Sequence, residues 1–532
     1  MNLMQEILQK SHFSNSNKFI YFYQNYQLSQ KISYPEFKQI IEVKSKIIAE
    51  HGISGFCILC IEDPLQFIIQ FCSLVLAGCV PVPLATATYS SSKDYQNRIQ
   101  KMMSDYQFDF AVIDSQSEVY FKQASLPIMN SENFIKNFER RTPSIHTNAC
   151  FIQFSSGSTS EPKGIVLNHQ QLKENINQIC ETLKPSVDTQ ILTWLPLYHD
   201  MGLIGGILSA LHYGSDIHFM SPLDFVGSIR QFLKLVESHK INFLLGPDFM
   251  YRQMAREIDK TQYDLSSLEH CLCGAELVLP STLRSIESGF EQAKVKKSVF
   301  RPVYGMAEAC LALSFSQPKG LALIHQYSQN QEVVSCGRAL AGQEIIVVDQ
   351  NGDEVSEQTR GEFAVKGRSL FTEYFFNKYS VPRTKQGYFL TGDEGFTYQG
   401  EIYPLGRKRD VVIHNSIKYH SVDLESTIFE ATKLGRVACV QLDAFYVVAE
   451  IPWQKFYKIP FFKKQIAQSL SQKIPISAKQ IYIVPKFDLP RTTSGKIQRY
   501  RVQEKIKNKE YAHPFYFTKA LLSLLKEYKN RQ

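Results

Sequence analysis

Short apolar strands and helical stretches alternate over the first 150 residues, and this alternation limits the fold more than any other feature. The apolar runs have the length of strands, and the stretches between them are long enough for helices. Chains with this pattern fold as βαβ units around a largely parallel sheet. The predicted strands are Lys18–Tyr23, Gly55–Ile61 and Val80–Pro83, and the predicted helices are Tyr34–His51 and Asp63–Ala77.

A hydroxyl-rich turn follows at 154–164, where the chain reads Phe-Ser-Ser-Gly-Ser-Thr-Ser-Glu-Pro-Lys-Gly. The turn lies between the apolar runs Ala149–Phe154 and Ile165–Leu167, which predict two strands. A flexible backbone, several hydroxyls and one lysine between strands can close around a polyphosphate. We therefore interpret the turn as a phosphate-binding loop, with an ordinary polar hairpin turn as the alternative.

This loop is not of the Walker type, because Pro162 and Gly164 stand where that motif needs glycine and a hydroxyl residue. Ser-Ser-Gly-Ser-Thr-x-x-Pro-Lys-Gly instead resembles the phosphate loop of the acyl-adenylate-forming superfamily. Its members include acyl-CoA synthetases, nonribosomal-peptide adenylation domains, luciferases and fatty acyl-AMP ligases. Most carry Gly where this chain has Ser160, and Ser-x-Pro-Lys-Gly is typical of fatty acyl-AMP ligases. By this resemblance, the ATP-binding residues of the loop are Ser155, Ser156, Gly157, Ser158, Thr159 and Lys163.

Composition indicates a globular protein with more than one domain. The chain has 532 residues, of which 44% are hydrophobic, and a single core rarely grows beyond about 250–300 residues. The most apolar region, 67–87, is interrupted by Gln70, Gly78 and two prolines. It therefore lacks the roughly 18–20 uninterrupted apolar residues of a membrane-spanning helix. No signal peptide is evident at the N-terminus, so a cytoplasmic location is expected.

Eleven cysteines in such a chain favour free, mostly buried thiols over a disulfide framework. Cys57 and Cys60 have the Cys-x-x-Cys spacing of some metal and redox sites. They lie in the apolar run Phe56–Ile61, however, and no second pair is placed as in a zinc ribbon. We predict that both are residues of the hydrophobic core.

Basic residues are concentrated towards the C-terminal end. From Arg407 onward there are 24 Lys/Arg against 10 Asp/Glu, a balance of +14, whereas residues 1–406 hold 35 against 41, a balance of −6. This asymmetry indicates an acidic partner for the C-terminal part, such as a carrier protein, an anionic membrane surface or a nucleic acid. A basic surface that is only well solvated is the alternative.

The segment from Leu192 reads Leu-Thr-Trp-Leu-Pro-Leu-Tyr-His-Asp-Met-Gly-Leu-Ile-Gly-Gly, which predicts a strand followed by a glycine-rich helical start. His199 and Asp200 would then lie at the carboxyl end of a strand, where open α/β sheets bind ligands. The segment resembles the one that borders the acyl and adenylate pocket of fatty acyl-AMP ligases, and this makes His199 a catalytic candidate. Taken alone, His199 would more often be a structural histidine.

A second α/β run leads to the triplet Gly274, Ala275 and Glu276. In the superfamily this triplet lies beside the adenine, where a glycine lets the base approach the backbone closely. Gly-Ala-Glu on its own is a weak signal. The run itself predicts strands at His218–Met220 and Asn242–Gly246 and a helix at Phe225–His239.

The motif Val-Tyr-Gly-Met-Ala-Glu-Ala begins at Val303. It is a stronger signal than Gly-Ala-Glu because it occurs together with the other motifs. By resemblance, Tyr304 stacks on the adenine, and Glu308 with Thr159 holds Mg²⁺ against the ATP phosphates. A flat base favours an aromatic face, and a hard cation favours oxygen ligands. The alternative for Glu308 is a helix N-terminal residue without a ligand. The same motif assigns three further residues to ATP binding, namely Gly305, Met306 and Ala307.

Two more motifs mark the ribose site and a domain boundary. Asp393, in Tyr-Phe-Leu-Thr-Gly-Asp, supplies a carboxylate suited to binding the two ribose hydroxyls. By resemblance, Gly406-Arg407 ends the large domain and Arg407 contacts the nucleotide. The hinge about which the small domain turns would be Arg409, where relatives more often have Asp or Lys.

The C-terminal part carries the predicted catalytic lysine. In Leu489-Pro-Arg-Thr-Thr-Ser-Gly-Lys, Lys496 by resemblance holds the carboxylate and the α-phosphate during adenylation, and a solvated basic loop is the alternative. An earlier loop departs from the family pattern. Ser416 stands where the family generally has glycine, and Ile417 stands where it often has arginine. Because the loss of that glycine removes close backbone approach, thioester formation with CoA becomes doubtful.

Other segments carry predictions of structure. The polar, serine-rich stretch Ala87–Met102 predicts a surface excursion. Residues 314–334 correspond to the region in which fatty acyl-AMP ligases carry an extra segment, and that segment hinders the domain motion needed for CoA use. The tail 514–532 has the apolar spacing of an amphipathic helix, which would pack on its own domain or bind a membrane or partner. Further predicted elements are the strands Phe110–Ile113 and Glu344–Val348 and the helix His169–Leu183.

Together these features predict an α/β fold with two domains. The large domain, 1–406, has several subdomains with parallel sheets and a small β-rich portion, and the small mobile α+β domain, 407–532, carries the lysine. The resemblance implies a ligase that uses ATP and Mg²⁺ to convert a fatty acid into acyl-AMP and passes the acyl group to an acyl carrier protein. No nucleic acid partner and no transmembrane segment are predicted, whereas peripheral membrane contact stays open.

Two kinds of alternative remain. Within enzymes, the chain could be an acyl-CoA synthetase or an aryl or amino acid adenylating enzyme. An amino acid substrate is less favoured, because adenylation domains for amino acids usually hold the α-amine with an aspartate early in the pocket, and the apolar segment Leu244–Gly246 contains none. Asp248 lies close enough to this segment to keep the alternative open. From another class, a non-catalytic protein could bind an acyl group or a partner, but the retention of Lys496, Asp393 and Glu308 argues against it.

Overall fold

A computed structural model describes residues 2–14, 17–89, 92–122, 126–131, 148–155, 162–317, 324–328, 331–414, 417–471, 480–492 and 495–512. The helices are α1 (Leu3–Leu8), α2 (Tyr34–Glu50), α3 (Pro64–Leu76), α4 (Ser92–Asp105), α5 (Glu118–Phe121), α6 (His169–Leu183), α7 (Ser209–Tyr213), α8 (Pro222–Gly227), α9 (Ile229–Ser238), α10 (Asp248–Ile258), α11 (Pro280–Gln292), α12 (Ser421–Thr432), α13 (Ile459–Ser471) and α14 (Arg499–Lys507).

The strands alternate with these helices along most of the chain. They are β1 (Phe19–Gln24), β2 (Gln27–Ser33), β3 (Phe56–Cys60), β4 (Val80–Pro83), β5 (Phe110–Ile113), β6 (Ile128–Asn130), β7 (Ala149–Phe154), β8 (Gly164–Asn168), β9 (Gln190–Thr193), β10 (Asp216–Met220), β11 (Phe243–Gly246), β12 (His270–Cys273), β13 (Phe300–Gly305), β14 (Ala312–Phe315), β15 (Ile324–Ser328), β16 (Gln331–Val334), β17 (Arg338–Ala339), β18 (Gln343–Val348), β19 (Gly361–Gly367), β20 (Phe389–Tyr398), β21 (Glu401–Arg407), β22 (Val411–His414), β23 (Ile417–His420), β24 (Val437–Gln441), β25 (Phe445–Ile451) and β26 (Ile481–Pro485).

The chain divides into two compact units. The N-terminal unit takes in the described residues of 1–155, 163–391 and 396–404. The C-terminal unit takes in Gly392–Gly395 and the described residues from Leu405 onward.

A nine-stranded sheet forms the centre of the N-terminal unit, with the strand order β17-β14-β13-β12-β11-β9-β10-β1-β2. From β13 to β1 every neighbouring pair runs parallel, whereas the strands at the two edges run antiparallel. A second sheet, β4-β3-β5-β6, is parallel throughout. The α/β fold with parallel sheets is therefore confirmed.

The other sheets of this part of the chain are smaller. β7 and β8 form an antiparallel hairpin in which Phe154 lies opposite Gly164, and β15 pairs with β16 in another. A four-stranded sheet has the order β18-β19-β20-β21. It corresponds to the predicted β-rich portion, and the predicted strand Glu344–Val348 is β18.

Local sequence explains several of the helix boundaries. Ser33 caps α2 by accepting from the Glu36 N–H, and Glu36 accepts in return from the Ser33 N–H. Asn168 and Gln171 form the same reciprocal cap on α6. Asp63 caps α3 ahead of a proline at the first helical position. These signals lie in the sequence itself, and helices α2, α3 and α6 occur where they were predicted.

The cores of the two parallel sheets contain the cysteines that the sequence placed there. Cys57 and Cys60 are fully buried on β3, and all eleven cysteines are free. Burial raises the pKa of Cys60 to about 11, so the thiol stays protonated at neutral pH. The prediction of free core cysteines is confirmed.

The C-terminal unit is an α+β body built on the three-stranded sheet β24-β25-β26. β24 and β25 run antiparallel, and β25 and β26 run parallel. Leu424 and Ile428 of α12 and Phe462 and Ile466 of α13 share one apolar core with this sheet. Val502 of α14 lies in a second one.

Two predictions of local structure are wrong. The stretch Ala87–Met102 is not a surface excursion, because most of it belongs to α4, whose Tyr95 and Ile99 are buried. The single predicted helix at Phe225–His239 is two helices, α8 and α9, separated at Ser228. Ser228 has φ −156° and caps α9 by accepting from the Gln231 N–H, and a capping hydroxyl inside a helical pattern favours such a break.

The predicted amphipathic tail, 514–532, lies outside the described residues, as do parts of 314–334. Among the residues that the structure describes, no helix combines the length and the apolar character needed to cross a membrane.

Candidate functional site

Four strands of the nine-stranded sheet end side by side and bring several predicted motifs to one edge. The strands β13, β12, β11 and β9 are consecutive neighbours and run parallel. Their carboxyl ends therefore lie at the same edge, where open α/β sheets bind ligands. Tyr304, Gly274 and Asp248 lie at or just beyond the ends of β13, β12 and β11, and His199 follows β9.

The hairpin β7–β8 holds the base of the predicted phosphate loop. The Ser155 N–H donates to the Lys163 carbonyl at 2.9 Å, and the Lys163 N–H donates to the Ser155 hydroxyl at 2.9 Å. Gly164 follows, and a Cβ on it would lie 2.8 Å from the Phe375 Cβ. Both ends of the loop are therefore held together, although Ser156, Gly157, Ser158 and Thr159 lie outside the described residues.

Lys163 lies against two aromatic rings that the sequence reading did not assign. Its Nζ is 4.9 Å from the ring centroid of Tyr374 and 5.1 Å from that of Tyr379. The attraction between a cation and aromatic ring faces restrains the lysine side chain. The segment Phe-Thr-Glu-Tyr-Phe-Phe-Asn-Lys-Tyr, from Phe371 to Tyr379, is unusually aromatic, and this is the signal that could have pointed to it.

His199 is placed by the turn that follows β9. The Gln153 side chain on β7 donates to the Tyr198 carbonyl at 2.9 Å, which connects this turn to the strand leading into Ser155. The His199 carbonyl accepts from the Leu203 N–H at 2.8 Å. The ring of His199 is half-buried and lies 4.9 Å from that of Tyr198.

The glycine-rich segment after His199 is a π-helix, Met201–Leu208, whose first N–H donates to Asp200 Oδ1 at 2.7 Å. A Cβ on Gly202 would lie 2.3 Å from the Pro196 carbonyl oxygen, and one on Gly206 would lie 3.1 Å from Thr193 Oγ1. The glycines therefore allow the helix to pack closely on the end of β9. π-Helical turns are rare and frequently lie at functional sites. The sequence predicted a helical start here but not its π-helical form.

Gly274 and its neighbours form a tight turn at the end of β12. The Gly274 N–H donates to the Gly246 carbonyl at 3.1 Å, and a Cβ on Gly274 would lie 2.6 Å from Val303 Cγ2. Ala275 has φ +64° and is exposed, and Glu276 is half-buried. The turn thus presents backbone at the sheet edge.

The motif 303–308 continues directly from β13. The Met306 N–H donates to the Leu311 carbonyl at 2.9 Å, and the Glu308 carbonyl accepts from the Phe371 N–H at 2.8 Å. Ala307 and Glu308 belong to a 3-10 turn, Ala307–Ala309. Tyr304 is half-buried, with its ring 5.6 Å from that of Phe363. Glu308 is thereby connected to the segment from Phe371 to Tyr379, against which Lys163 lies.

Asp248 is not available for the α-amine of an amino acid substrate. It is 1% exposed, forms an ion pair with Arg252 Nε at 3.0 Å, and accepts from the Leu279 N–H at 3.1 Å. Burial raises its pKa to about 6, while Arg252 acts in the opposite direction. These contacts hold the Asp248 carboxylate at the N-terminal turn of α10. The residue that the sequence offered for binding the α-amine of an amino acid is therefore already engaged.

Asp393 and Arg407 lie together in the C-terminal unit. Arg407 Nε is 2.8 Å from Asp393 Oδ1, with Asp393 8% exposed and Arg407 largely exposed. The Lys408 N–H donates to the Gly392 carbonyl at 2.9 Å. The two predicted nucleotide residues therefore belong to one local arrangement, in which the arginine orients the carboxylate.

The predicted hinge, Arg409, is an exposed residue of the turn between β21 and β22. The Asp410 N–H donates to the Arg407 carbonyl at 3.0 Å and closes this turn. Ile417 begins β23 opposite His414, while Ser416 lies outside the described residues.

Lys496 lies on a tight turn before α14. The Lys496 N–H donates to Thr492 Oγ1 at 3.0 Å, and the Thr492 N–H donates to the Lys496 carbonyl at 2.8 Å. Gly495 has φ +86°, and its carbonyl accepts from Arg436 Nη1 at 2.8 Å. A glycine is required there because side chains rarely adopt this conformation. The turn therefore defines where the lysine leaves the backbone.

A model of the AMP-binding enzyme family matches residues 12–375, which are 364 of the 532 residues and include the hairpin, the His199 turn and the Glu308 motif. The chain belongs to the AMP-binding enzyme family.

Curated relatives of this AMP-binding enzyme carry names of fatty acid ligases. The medium-chain-fatty-acid–[acyl-carrier-protein] ligase TtuA of Teredinibacter turnerae is 30% identical over 67% of this chain and 63% of its own length. This chain thus spans just under two thirds of TtuA. The corresponding ligase JamA of Moorena producens is 24% identical over 92% of each chain.

Solved structures show the same fold. A chain from structural and functional studies of fatty acyl-adenylate ligases from E. coli and L. pneumophila has a TM-score of 0.85 at 22% identity. The match covers 96% of this chain and 99% of the other.

One cluster of this AMP-binding enzyme was not foreseen from the sequence. Arg499, the first residue of α14, pairs with Asp410 Oδ2 at 2.6 Å and with Glu425 Oε2 at 2.7 Å. Burial opposes the charge of Arg499, but the two carboxylates raise its pKa. The cluster connects the residue after Arg409 to the helix that begins three residues after Lys496. No local pattern indicates it, since its members are 15 to 89 positions apart in sequence.

Proposed function

We propose that this AMP-binding enzyme uses ATP to activate a fatty acid carboxylate, giving acyl-AMP and pyrophosphate. The observation that carries the proposal is the edge of the nine-stranded sheet, where the His199 turn, the Gly274 turn and the Tyr304–Glu308 motif lie on neighbouring parallel strands. The names of TtuA and JamA support a fatty acid as the carboxylate.

The chemistry requires charge neutralisation more than proton transfer. A carboxylate oxygen attacks the α-phosphorus, a new oxygen–phosphorus bond forms, and the bond to the bridging oxygen breaks as pyrophosphate leaves. A fatty acid is already ionised near neutral pH, so no general base is needed. Lys163 and Lys496 supply the positive charge that offsets the repulsion between carboxylate and triphosphate, and preplaced charges of this kind stabilise the transition state.

The remaining assignments follow the motifs. Tyr304 and the Gly274 turn hold the adenine, Asp393 and Arg407 hold the ribose side, and the hydroxyls of the phosphate loop hold the phosphates. His199 borders the reacting carboxylate. Arg409 is the hinge of a small domain, 407–532, that turns relative to the large domain, 1–406, and brings Lys496 to the nucleotide.

Mg²⁺ is part of the proposal, with Glu308 and Thr159 as its protein ligands. Among the described residues no group of three His, Cys, Asp or Glu side chains could hold a metal ion. Two protein oxygens plus ATP phosphates form an oxygen-rich donor set of the kind that Mg²⁺ takes. When bound, the ion would neutralise phosphate charge and align the leaving group.

We further propose that the acyl group passes to the phosphopantetheine thiol of an acyl carrier protein. The thiol attacks the acyl carbonyl, a thioester forms, and AMP leaves. Support comes from the names of TtuA and JamA and from the balance of +14 from Arg407 onward, which suits an acidic partner. A cytoplasmic setting fits the eleven free cysteines, because reducing compartments keep thiols free.

Pyrophosphate release over a panel of fatty acids tests the adenylation step. Lys496→Ala should lower the rate by about a hundredfold or more, because a preplaced charge at the reacting centre is lost. Lys507→Ala, an exposed lysine near the end of α14, is the matched control and should leave the rate unchanged. Equal background release by the parent and by the Lys496 variant would instead favour a non-catalytic acyl-binding protein.

The acceptor is tested separately with lauric acid, ATP and either CoA or a holo carrier protein. Acyl transfer to the carrier protein without comparable acyl-CoA formation is expected. Efficient acyl-CoA formation would contradict the carrier route and favour an acyl-CoA synthetase, while leaving the adenylation proposal intact.

A further inference from the structure

Three exposed aromatic side chains follow one another at four-residue intervals on the C-terminal unit. Trp453, Tyr457 and Phe461 recur at every fourth residue along the 3-10 helix Trp453–Lys458 and the start of α13. They are 63%, 77% and 54% exposed. We call these three residues the aromatic row.

The opposite face of the same segment is anchored in the core. Phe462, Ile466 and Leu470 of α13 are buried against the three-stranded sheet. The 3-10 helix itself has no buried residue, but its Phe456 is half-buried against the same core. The segment is therefore attached to the core at both of its helices.

A fourth exposed aromatic residue lies at the same end of the sheet. Ile451 lies opposite Pro485 in the parallel pair β25–β26, and its carbonyl accepts from the Lys486 N–H at 3.0 Å. Phe487 comes next and is 62% exposed. Of the strongly exposed aromatic residues in the described part of the chain, Phe376 is the only one elsewhere. Large apolar groups are thus concentrated where the 3-10 helix begins.

The charge around the aromatic row has a single sign. From Ile451 to Phe487 the sequence contains seven lysines, no arginine and no Asp or Glu. Lys455, Lys458 and Lys464 are exposed beside the aromatic row, and Lys458 Nζ lies 5.5 Å from the Tyr457 ring centroid.

This composition favours a lipid surface over a protein partner. Protein interfaces are enriched in arginine and depleted in lysine, whereas this segment has lysine alone. Trp and Tyr prefer the boundary between water and hydrocarbon, and clustered lysines are attracted to anionic headgroups. Amphipathic segments that combine the two lie in the plane of the membrane surface.

We propose that the aromatic row and its lysines dock the C-terminal unit on an anionic lipid bilayer, with the rings at headgroup depth. The occupant is the bilayer surface itself. The proposal does not depend on the reaction assigned above.

Vesicle sedimentation with the full-length protein tests this docking. The parent should bind vesicles of phosphatidylcholine mixed with phosphatidylserine, bind vesicles of phosphatidylcholine alone much more weakly, and lose binding as salt is raised. The chain has only two tryptophans, and Trp194 is buried. Fluorescence should therefore shift to the blue on vesicle addition, and Trp453→Phe should abolish the shift.

Two combined variants separate the contributions. The triple variant Trp453→Ser, Tyr457→Ser and Phe461→Ser should partition about tenfold or more weakly, because its apolar anchors are lost. The triple variant Lys455→Gln, Lys458→Gln and Lys464→Gln should partition roughly a hundredfold more weakly at low salt. A matched control replaces exposed apolar residues of the N-terminal unit, Val187→Ser and Leu223→Ser, and should bind as the parent does. Unchanged thermal unfolding shows that the variants are folded.

Three outcomes would overturn the proposal. The parent could fail to bind the mixed vesicles. Both triple variants could bind them as well as the parent, as they would if the tail 513–532 carried the binding. Finally, the triple variants could keep vesicle binding and lose only acyl transfer to a carrier protein, which would assign this surface to a protein partner. Adenylation of a soluble fatty acid, measured in parallel, reports on the proposed reaction independently.

Discussion

At Gly305 the backbone leaves no room for a side chain. A Cβ there would lie 1.8 Å from the Leu311 carbonyl oxygen, and that oxygen already accepts from the Met306 N–H. Because the obstacle is backbone, it cannot move aside as a flexible side chain would. The glycine in the motif 303–308 therefore holds Tyr304 and Glu308 at the end of β13.

Gly305→Ala should destabilise the protein by about 1–3 kcal/mol or more, since overpacking against backbone forces a local shift. Adenylation should fall with it, because Tyr304 and Glu308 are displaced. Gly289→Ala is the control, since a Cβ at this position of α11 meets ordinary contacts of 3.4 Å and beyond. Denaturant unfolding measures the stability of the two variants, and pyrophosphate release measures their adenylation. A Gly305 variant as stable as the control variant would show that the motif can rearrange.

His218 on β10 makes stability depend on pH. It is 2% exposed, Tyr23 Oη lies 2.9 Å from its Nδ1, and Gln190 Oε1 lies 2.9 Å from its Nε2. Burial, together with the nearby His239, lowers its pKa from 6.5 to about 3. Between these values the unfolded chain binds a proton that the folded chain does not, so the free energy of unfolding falls as the pH drops below 6.5.

Between pH 7.5 and pH 5 this one histidine should cost the folded state about 2 kcal/mol. His218→Gln removes the titration, so its destabilisation relative to the parent should be about 2 kcal/mol smaller at pH 5 than at pH 7.5. Unfolding free energies at the two pH values measure this difference. The same destabilisation at both pH values would mean that the ring takes up a proton as readily in the folded protein as in the unfolded chain.

Among the elements, α14 connects the two predicted functional features of the C-terminal unit, the hinge and the lysine turn. Its first residue, Arg499, binds Asp410 beside the predicted hinge, and the turn that presents Lys496 ends just before it. Glu425 of α12 completes the cluster and also accepts from the Cys439 N–H at 2.9 Å on β24. A helix, a turn and a sheet are thus held together by one largely buried cation.

Arg499→Gln should destabilise the C-terminal unit by about 3–5 kcal/mol, because two largely buried carboxylates lose their counter-charge. Pyrophosphate release should fall because the Lys496 turn loses its anchor. Arg501→Gln, an exposed residue of the same helix, is the control and should change neither stability nor rate. If the two variants behaved alike, the cluster would have no role in positioning the turn.

For the whole molecule, the proposed reaction draws its residues from both units. Ser155, Lys163, Tyr304 and Glu308 belong to the N-terminal unit, whereas Lys496 belongs to the C-terminal unit. If the exposed turn at Arg409 is the proposed hinge, a backbone change there should alter the domain motion with little effect on either core.

Arg409→Pro should keep most adenylation activity and lower acyl transfer to a carrier protein about tenfold or more, since proline fixes φ at the hinge. Arg409→Ala is the control, because it removes the side chain and keeps the backbone free. Single-turnover adenylation and transfer are measured separately. Equal losses in both steps, or none in either, would argue against a hinge at this residue.

Much of the fold could be predicted because its signals are local. Ser33 with Glu36 marks the start of α2, Asn168 with Gln171 marks the start of α6, and apolar runs mark β3, β7 and β11. Each of these elements was predicted within one or two residues. The helix α4 was missed because its surface is polar and only spaced residues such as Tyr95 and Ile99 are buried.

The candidate site likewise depends partly on contiguous sequence motifs and partly on contacts between residues far apart in sequence. The sequence alone predicted which residues would carry the chemistry, because the hydroxyl-rich loop, the glycine turns and the lysine turn are contiguous motifs. Only the tertiary structure decided that β13, β12, β11 and β9 end at one edge, that Lys163 lies against Tyr374 and Tyr379, and that Arg499 is paired with Asp410 and Glu425. Such contacts join residues far apart in the chain, and they form through burial and charge pairing that no local pattern encodes.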